Sequence, residues 1–462
     1  MGRALRRTAS RVPGIAVSGP ENRINVAVLG TGMAGCGAIH RLSGESVTPV
    51  VFDKEAYFGG HTASFSHPGG YTFDEGGHVS YTKNERLKDL FARNVRGAFE
   101  VVHLHVNNYW RGHWIKHPVQ CNLYGLPPDL VTRIIGDFVD AQHTPETKIR
   151  NYQDWLLAAY GTTFAENFPI VYGRRYHTTT ADNMTTDWLG PRMYRPTLSE
   201  VLKGALSPDT PDVHYVTEFR YPSRGGFVSY ILPFARKADV RLDHQLVRLD
   251  PNERALYFAN GAVVAYDQVI SSIPLPSLVP LIEGTPIDVQ AAVNKLACTT
   301  CVIVNVAVAR SHLSDAQITY FYDEDLFFNR VNYPHMLSPH NVPAGTSAVQ
   351  AECYYSRKYR PLDRNPESCI EPVVADLRRC GILREDDDIL FTNVRVNDYA
   401  NIIFDLEYPS ALATVHGYLD DVGILYCGRY GEWRHLWTDE AFESGERAAE
   451  RALERLGSAS PR

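Results

Sequence analysis

The residues with the most legible chemistry lie near the start of the 462-residue chain, where Gly30-Thr31-Gly32-Met33-Ala34-Gly35 fits Gly-x-Gly-x-x-Gly. In such a turn the glycines allow a tight bend, close approach of a pyrophosphate, and close packing of a helix on a strand. The helix that follows turns its first N–H groups towards negative charge. Asp53 stands 23 residues after Gly30, where a carboxylate can accept hydrogen bonds from ribose hydroxyls. A bound dinucleotide is therefore expected on Gly30, Gly32, Met33, Ala34 and Gly35, with Asp53 and the adjacent Lys54. A second such segment stands near the other end, in Tyr426-Cys427-Gly428-Arg429. There a strand running into a glycine can offer Gly428 and Arg429 to the same ligand. Asp439 then caps the last helix or accepts a ligand hydroxyl.

Elements of defined type must hold these residues. Residues 24–29 form an apolar run suited to a buried parallel strand, 38–43 continue a helix, and 48–52 form a second strand ending at Asp53; together they make a βαβ unit. Residues 57–82, rich in Gly, His, Thr and Ser, read as a loop lying against a ligand. From 84 to 206 the apolar spacing is mainly helical. Residues 246–249, 255–258, 263–265 and 269–271 read as short strands, with Asn260-Gly261 as a hairpin signal. Residues 302–309, 318–322 and 348–354 alternate as strands, and 423–427 lead into a helix over 439–456. The expected fold class is α/β. A discontinuous, Rossmann-like doubly wound domain is built from 23–85, 222–275 and 412–456. A helical substrate region spans 86–221, and a mixed region with antiparallel sheet spans 276–411. Residues 1–22 read as a disordered leader and 457–462 as a tail.

Composition excludes other classes. A net charge of −7 gives no pull towards nucleic acid or an anionic membrane, and no apolar run reaches transmembrane length. Eight scattered cysteines are too few for a disulfide scaffold, so a cytoplasmic protein with reduced thiols is expected. Arg6-Arg7 lacks the apolar segment an export signal needs. Cys298-x-x-Cys301 has no second ligand pair and reads as the start of a buried strand; His61, His67 and His78 are not spaced as a metal set.

Several further segments carry a resemblance. Phe58-Gly59-Gly60-His61-Thr62 and Phe73-Asp74-Glu75-Gly76-Gly77-His78 look like the loops beside the flavin in FAD-binding oxidases and mutases. Gly76 to Thr82, Arg111 to Leu123, Tyr221 to Phe227 and Asp267 to Pro274 extend the match. From 24 to 456 the chain resembles the UDP-galactopyranose mutase group and its protoporphyrinogen-oxidase-like relatives. The resemblance implies FAD, with Gly60, His61 and Val247 added to its contacts. It also implies a mutase that interconverts pyranose and furanose rings of a nucleotide-linked sugar, using reduced flavin as nucleophile. Arg174 and Arg330 would then hold the diphosphate, Arg429 would favour the anionic reduced flavin, and His78 would face it. A flavin reductant or NAD(P)H would be a partner, and a homo-oligomer is compatible. The sequence also departs from the pattern. His435 stands where a diphosphate-holding tyrosine is usual, Trp437 replaces an acid, Tyr81 replaces a second histidine, and Tyr176 to Thr180 replace Lys-x-Trp-Gly. These departures give weight to an alternative, an FAD oxidase or dehydrogenase of the amine oxidase or protoporphyrinogen oxidase type. A flavin binder without turnover is the third reading.

Overall fold

The strand Arg23–Leu29 carries Val26, Ala27, Val28 and Leu29, all essentially inaccessible. A strand buried on both faces needs neighbours on both edges. It pairs in parallel with Val50–Phe52 on one side and Val263–Ser271 on the other. This computed structural model describes residues 23–458 except 46, 144–147, 191–192, 212 and 214–215. The expected leader, and the expected tail from 459, lie outside the described residues.

The first sheet runs Leu246–Asp250, Ala255–Phe258, Val263–Ser271, Arg23–Leu29, Val50–Phe52, Asp239–Arg241, with Leu425–Tyr426 added in parallel to Val263–Ser271. The chain leaves Arg23–Leu29 in one direction towards Val50–Phe52 and returns on its other side as Val263–Ser271. That reversal opens a crevice at the carboxyl ends of the strands, where ligands of such sheets bind. The helix Met33–Leu42 covers one face and packs on the helix Thr438–Ser458. Their approach is close: a Cβ at Gly37 would stand 1.9 Å from the Phe442 carbonyl oxygen, and one at Gly445 would stand 1.8 Å from that of Ala34.

The second sheet runs Ile389–Asn397, Ala297–Val308, Ser347–Ser356, Arg330–Asn332, Ile318–Phe321, Val106–Trp110, His113–Lys116, with Ile402–Ile403 on Ala297–Val308. Val302, Val304, Val306 and Val308 face one way and form a core with Val373, Val374 and Leu377 of the helix Ile370–Arg379. The opposite face is unusually polar. It carries Asn305, Gln350 and Glu352, and Gln350 Nε2 donates to Asn305 Oδ1 and to the Asp74 carbonyl, both at 2.9 Å. This face lies against the loop expected to run beside the ligand.

The stretch expected to be helical, 86–221, departs from that reading in part. Its helices include Pro128–His143, Tyr152–Tyr160 and Pro169–Tyr176. It also contains the hairpin Val106–Trp110/His113–Lys116, which joins the second sheet through parallel pairing with Ile318–Phe321. Arg111 and Gly112 both adopt positive φ, 48° and 84°, the two-residue turn that matches strand twist. Phe99–His103 pairs with Glu218–Pro222. The Cys298-x-x-Cys301 pair starts the strand Ala297–Val308, and all eight cysteines are unlinked thiols.

Candidate active site

The glycine turn has the geometry its sequence requires. Gly30 adopts φ +105°, and a Cβ there would stand 2.3 Å from Ser272 Oγ; one at Gly35 would stand 2.0 Å from the Gly30 carbonyl oxygen. Gly32 is open by contrast, its nearest such neighbour being the Gly59 carbonyl oxygen at 3.9 Å. The helix Met33–Leu42 has no side-chain cap and no acid in its first turn, so the N–H groups of that turn remain for an anion. Asp53 Oδ2 accepts from Thr31 N at 2.8 Å and Thr31 Oγ1 at 2.6 Å, and Gly59 N donates to Thr31 Oγ1 at 3.1 Å. The acid, the turn and the Gly59-Gly60 pair are thus tied together.

The closing segment reaches the same place. Gly428 adopts φ +76°, its virtual Cβ would stand 2.7 Å from Ala34 Cβ, and its N–H donates to Ser444 Oγ at 2.8 Å. Asp439 does not cap the last helix, which begins at Thr438; Glu440 takes the Trp437 N–H instead, at 2.7 Å. Asp439 Oδ1 is buried without a hydrogen-bond partner among the described residues, an orphaned acceptor that suits a ligand hydroxyl. Lys54 points to solvent and pairs with Glu55 at 3.3 Å. Val247 follows the segment whose His244 N–H donates to the Asp53 carbonyl at 2.8 Å. It lies on the outer strand Leu246–Asp250, at the register shift between Leu246 and Arg248, with its side chain 45% exposed.

Beside this cradle, Asp74 anchors the next loop. Its carboxylate accepts from Ser64 Oγ at 2.5 Å, Tyr221 OH at 2.8 Å and Phe227 N at 3.0 Å. Burial pushes the Asp74 carboxyl up to about 6 in spite of those donors. His78 donates from Nδ1 to the Gly76 carbonyl at 2.9 Å, and burial pushes its imidazole down to about 4. Arg429, His61 and Glu75 all lie within electrostatic reach of His78.

The three arginines have different surroundings. Arg330 pairs directly across the sheet with Glu352, its Nε at 2.8 Å and Nη2 at 2.7 Å from Glu352 Oε2. Glu352 also accepts from Asn332 Nδ2 at 2.6 Å and from Tyr354 OH. Around this pair stand Tyr172, Tyr176, Tyr320 and Tyr354, with ring centroids 4.7–5.5 Å apart from one to the next. Burial pushes all four phenols up, Tyr176 to about 12, so they stay protonated donors. Arg330 and Arg429 both lie within electrostatic reach of Tyr176. Arg429 donates to the Leu436 carbonyl at 2.6 and 3.0 Å, closing the segment that holds half-buried His435. Arg174 lies at the exposed rim, paired with Glu324. Its neighbour Arg175 is buried and donates to the carbonyls of Asp323 and Phe328 at 2.7 and 2.9 Å, and to that of Leu326 at 2.5 Å. Arg175 therefore fixes the loop leading to Arg330, with three of its five N–H donors committed to that loop.

Sequence reasoning missed Glu352, Glu75 and the tyrosine wall. The available signal was an ionisable acid inside the wholly buried strand Ser347–Ser356, since a buried carboxylate needs a partner.

The chain matches the family of flavin containing amine oxidoreductases over residues 34–453. It belongs to that family. Its cofactor is FAD, and the residues fit it: the uncapped helix start, the open Gly32, the Gly59-Gly60 pair and the orphaned Asp439 oxygen. A solved structure of reduced UDP-galactopyranose mutase is 23% identical, covers 95% of this chain and 96% of its own, and has a TM-score of 0.88. A protoporphyrinogen oxidase candidate from Exiguobacterium sp. 255-15 is 15% identical, with 94% and 99% covered and a TM-score of 0.70. A redesigned putrescine oxidase is 13% identical, with 94% and 100% covered and a TM-score of 0.63. These likenesses establish the fold. Among the described residues no helix is long and apolar enough to cross a membrane.

Proposed function

We propose that this flavoprotein is a mutase that interconverts ring forms of a nucleotide-diphosphate sugar, with its flavin kept reduced by NAD(P)H or another cytoplasmic reductant. The observation that carries the reading is Arg330, pinned by Glu352 inside a wall of tyrosines and sharing Tyr176 with Arg429. The likeness to a reduced UDP-galactopyranose mutase supports it. When bound, reduced FAD supplies the nucleophile for the anomeric carbon.

The protein's own residues do the rest. Arg330 presents the remaining edge of its planar fork to a diphosphate, and the protonated phenols of Tyr172 and Tyr320 donate hydrogen bonds to its oxygens; the Tyr176 hydroxyl already donates to Asn401 Oδ1 at 2.8 Å. Arg174, at the rim, adds a second cation by leaving Glu324, and His435 completes the substrate contacts. Arg429 fixes positive charge at the flavin, and His78 packs against it as a neutral ring. In this division, segments 23–85, 222–275 and 412–456 hold the cofactor, and 86–221 and 276–411 hold the substrate.

The test is anaerobic incubation of the reduced protein with UDP-, GDP- and dTDP-sugars, followed by NMR of the anomeric protons. A ring isomer should form without oxygen uptake. Arg330→Ala should lose that turnover and stay yellow. No isomer from any sugar nucleotide, or full turnover in the variant, refutes the reading. One observation favours a second reading: Glu352 among tyrosine faces would also suit an alkylammonium group. An amine oxidase would bleach its flavin with an amine and release peroxide in air.

A further inference from the structure

Two histidines border the flavin loop, and their surroundings fit them for different work. His78 is buried, its Nδ1–H is committed to a carbonyl, and its protonated form is strongly disfavoured. His61 lies on the short turn Gly60–Thr62, directly after the two positive-φ glycines that touch the dinucleotide turn. Its Nδ1 donates to Glu75 Oε1 at 2.9 Å. The side chain of His61 is 35% exposed and that of Glu75 only 7%. Glu75 is held in turn by Arg395 Nη2 at 3.4 Å and Tyr57 OH at 3.5 Å. Burial pushes the Glu75 carboxyl up, but His61 and Arg395 outweigh it and hold it below its usual range. The imidazole packs edge-on against Tyr430, centroids 5.4 Å apart, beside Arg429. Its Nε2 carries no hydrogen bond among the described residues.

We infer that His61 is a catalytic acid–base, aimed by the positioning residue Glu75, and that it moves the proton which ring interconversion requires. The inference rests on the mutase reading. A carboxylate on Nδ1–H fixes the tautomer whose lone pair is on Nε2, and it stabilises the imidazolium that forms there. The lone pair on Nε2 first takes up a proton to give the imidazolium; ring opening then breaks the bond from the anomeric carbon to the ring oxygen, leaving the electron pair on that oxygen, which takes the Nε2 proton. Closure through a different hydroxyl forms the new carbon–oxygen bond, and that hydroxyl's proton goes to Nε2. Protons balance over the cycle and nothing is oxidised. Glu75, Tyr430 and His78 are the titratable groups recorded around this imidazole, with Arg395 and Tyr57 on Glu75 and Arg429 within reach of His78.

The test uses holoenzyme labelled with ¹⁵N-histidine. Long-range ¹H–¹⁵N spectra of the oxidised protein should show His61 as the Nδ1–H tautomer, whereas the Nε2–H tautomer overturns the assignment. His61→Ala should retain flavin and bind sugar nucleotide within a few-fold. Its turnover should fall by about 10²–10⁴-fold and recover in part with millimolar imidazole. Glu75→Gln should lower kcat with KM little changed and raise the share of the Nε2–H tautomer of His61 in the same spectra; a merely structural role would leave the tautomer in place. Wild-type protein that isomerises no sugar nucleotide overturns the mutase reading, and the proton assignment with it. Wild-type turnover that persists in His61→Ala overturns the assignment alone.

Discussion

The Arg330–Glu352 pair gives the sharpest test, because neutralising its carboxylate drives the two functional readings in opposite directions. The change is Glu352→Gln. The amide keeps an acceptor oxygen for Asn332 or Tyr354, so the local shape survives, but Arg330 loses its counter-charge. A diphosphate held by the far edge of the guanidinium would sit roughly 6 Å from the Glu352 oxygens, one fork lying between two oxyanions. Coulomb's law with an effective dielectric of about 20 puts their repulsion at ~3 kcal/mol. The Arg330 side chain is 22% exposed, and screening at such a site removes a good part of that. A gain of about 1–2 kcal/mol remains, which is roughly 5- to 30-fold tighter binding of a nucleoside diphosphate. Titrating UDP, GDP and dTDP into holoprotein and following flavin fluorescence measures it. Folding should suffer meanwhile, by about 2–3 kcal/mol, because a largely buried cation is left unpaired. If the variant keeps its flavin yet binds every nucleoside diphosphate no more tightly than the parent, Glu352 is no neighbour of a bound diphosphate, and Arg330 does not hold one. An amine site would behave in reverse, losing amine affinity with the same substitution.

Two further outcomes follow from the cradle and the loop beside it. Gly35→Ala puts a methyl 2.0 Å from the Gly30 carbonyl oxygen, backbone that cannot yield without opening the turn; the variant should purify colourless, and a normal flavin absorbance per chain would show that the turn does not carry the cofactor. Asp74 is an acid whose folded-state value, about 6, lies above the ordinary one near 3.8, so the folded protein binds the extra proton. Its contribution, on the order of 3 kcal/mol, is complete below about pH 4 and is lost as pH rises towards 6. Asp74→Asn should flatten denaturant melts over that window, and a variant with the parent's slope between pH 4 and 6 would contradict the assignment.

What the sequence disclosed was local. The glycine turn, Asp53 and the Gly428-Arg429 segment were legible because backbone approach to a pyrophosphate demands glycine at fixed short spacings. What it hid depends on register. Arg330 and Glu352 are 22 residues apart and meet only because their strands pair directly opposite at those positions. His61 and Glu75 meet because the hairpin Ser64–His67/Tyr71–Asp74 folds back between them. The choice between Arg174 and Arg175 could not be read along the chain. Consecutive helical residues point about 100° apart, and the one that faces inward is decided by the carbonyls of a loop some 150 residues away. The hairpin at 106–116 escaped a reading by helical periodicity because its five-residue strands are shorter than the windows in which alternation is distinguishable.

The distribution of charge around the cavity assigns its cations to separate tasks. Arg330 is compensated by Glu352, and Arg395 lies against Glu75. Arg429 is different: its guanidinium is bonded to the Leu436 carbonyl, and it has no carboxylate partner among the described residues. A half-buried cation held by neutral groups, the Leu436 carbonyl and the Tyr430 hydroxyl, keeps its net positive charge. The excess stands beside Gly428, on the segment that packs against the dinucleotide turn, so the group it neutralises is the one lying along that segment. On the function proposed above, that group would be the cofactor, and the charge suits a flavin that becomes an anion on reduction. Arg330, already paired, adds orientation and hydrogen bonds with little excess charge, which on the proposed mutase reading is what a dianionic group would need when it must leave and be recaptured within a single turnover.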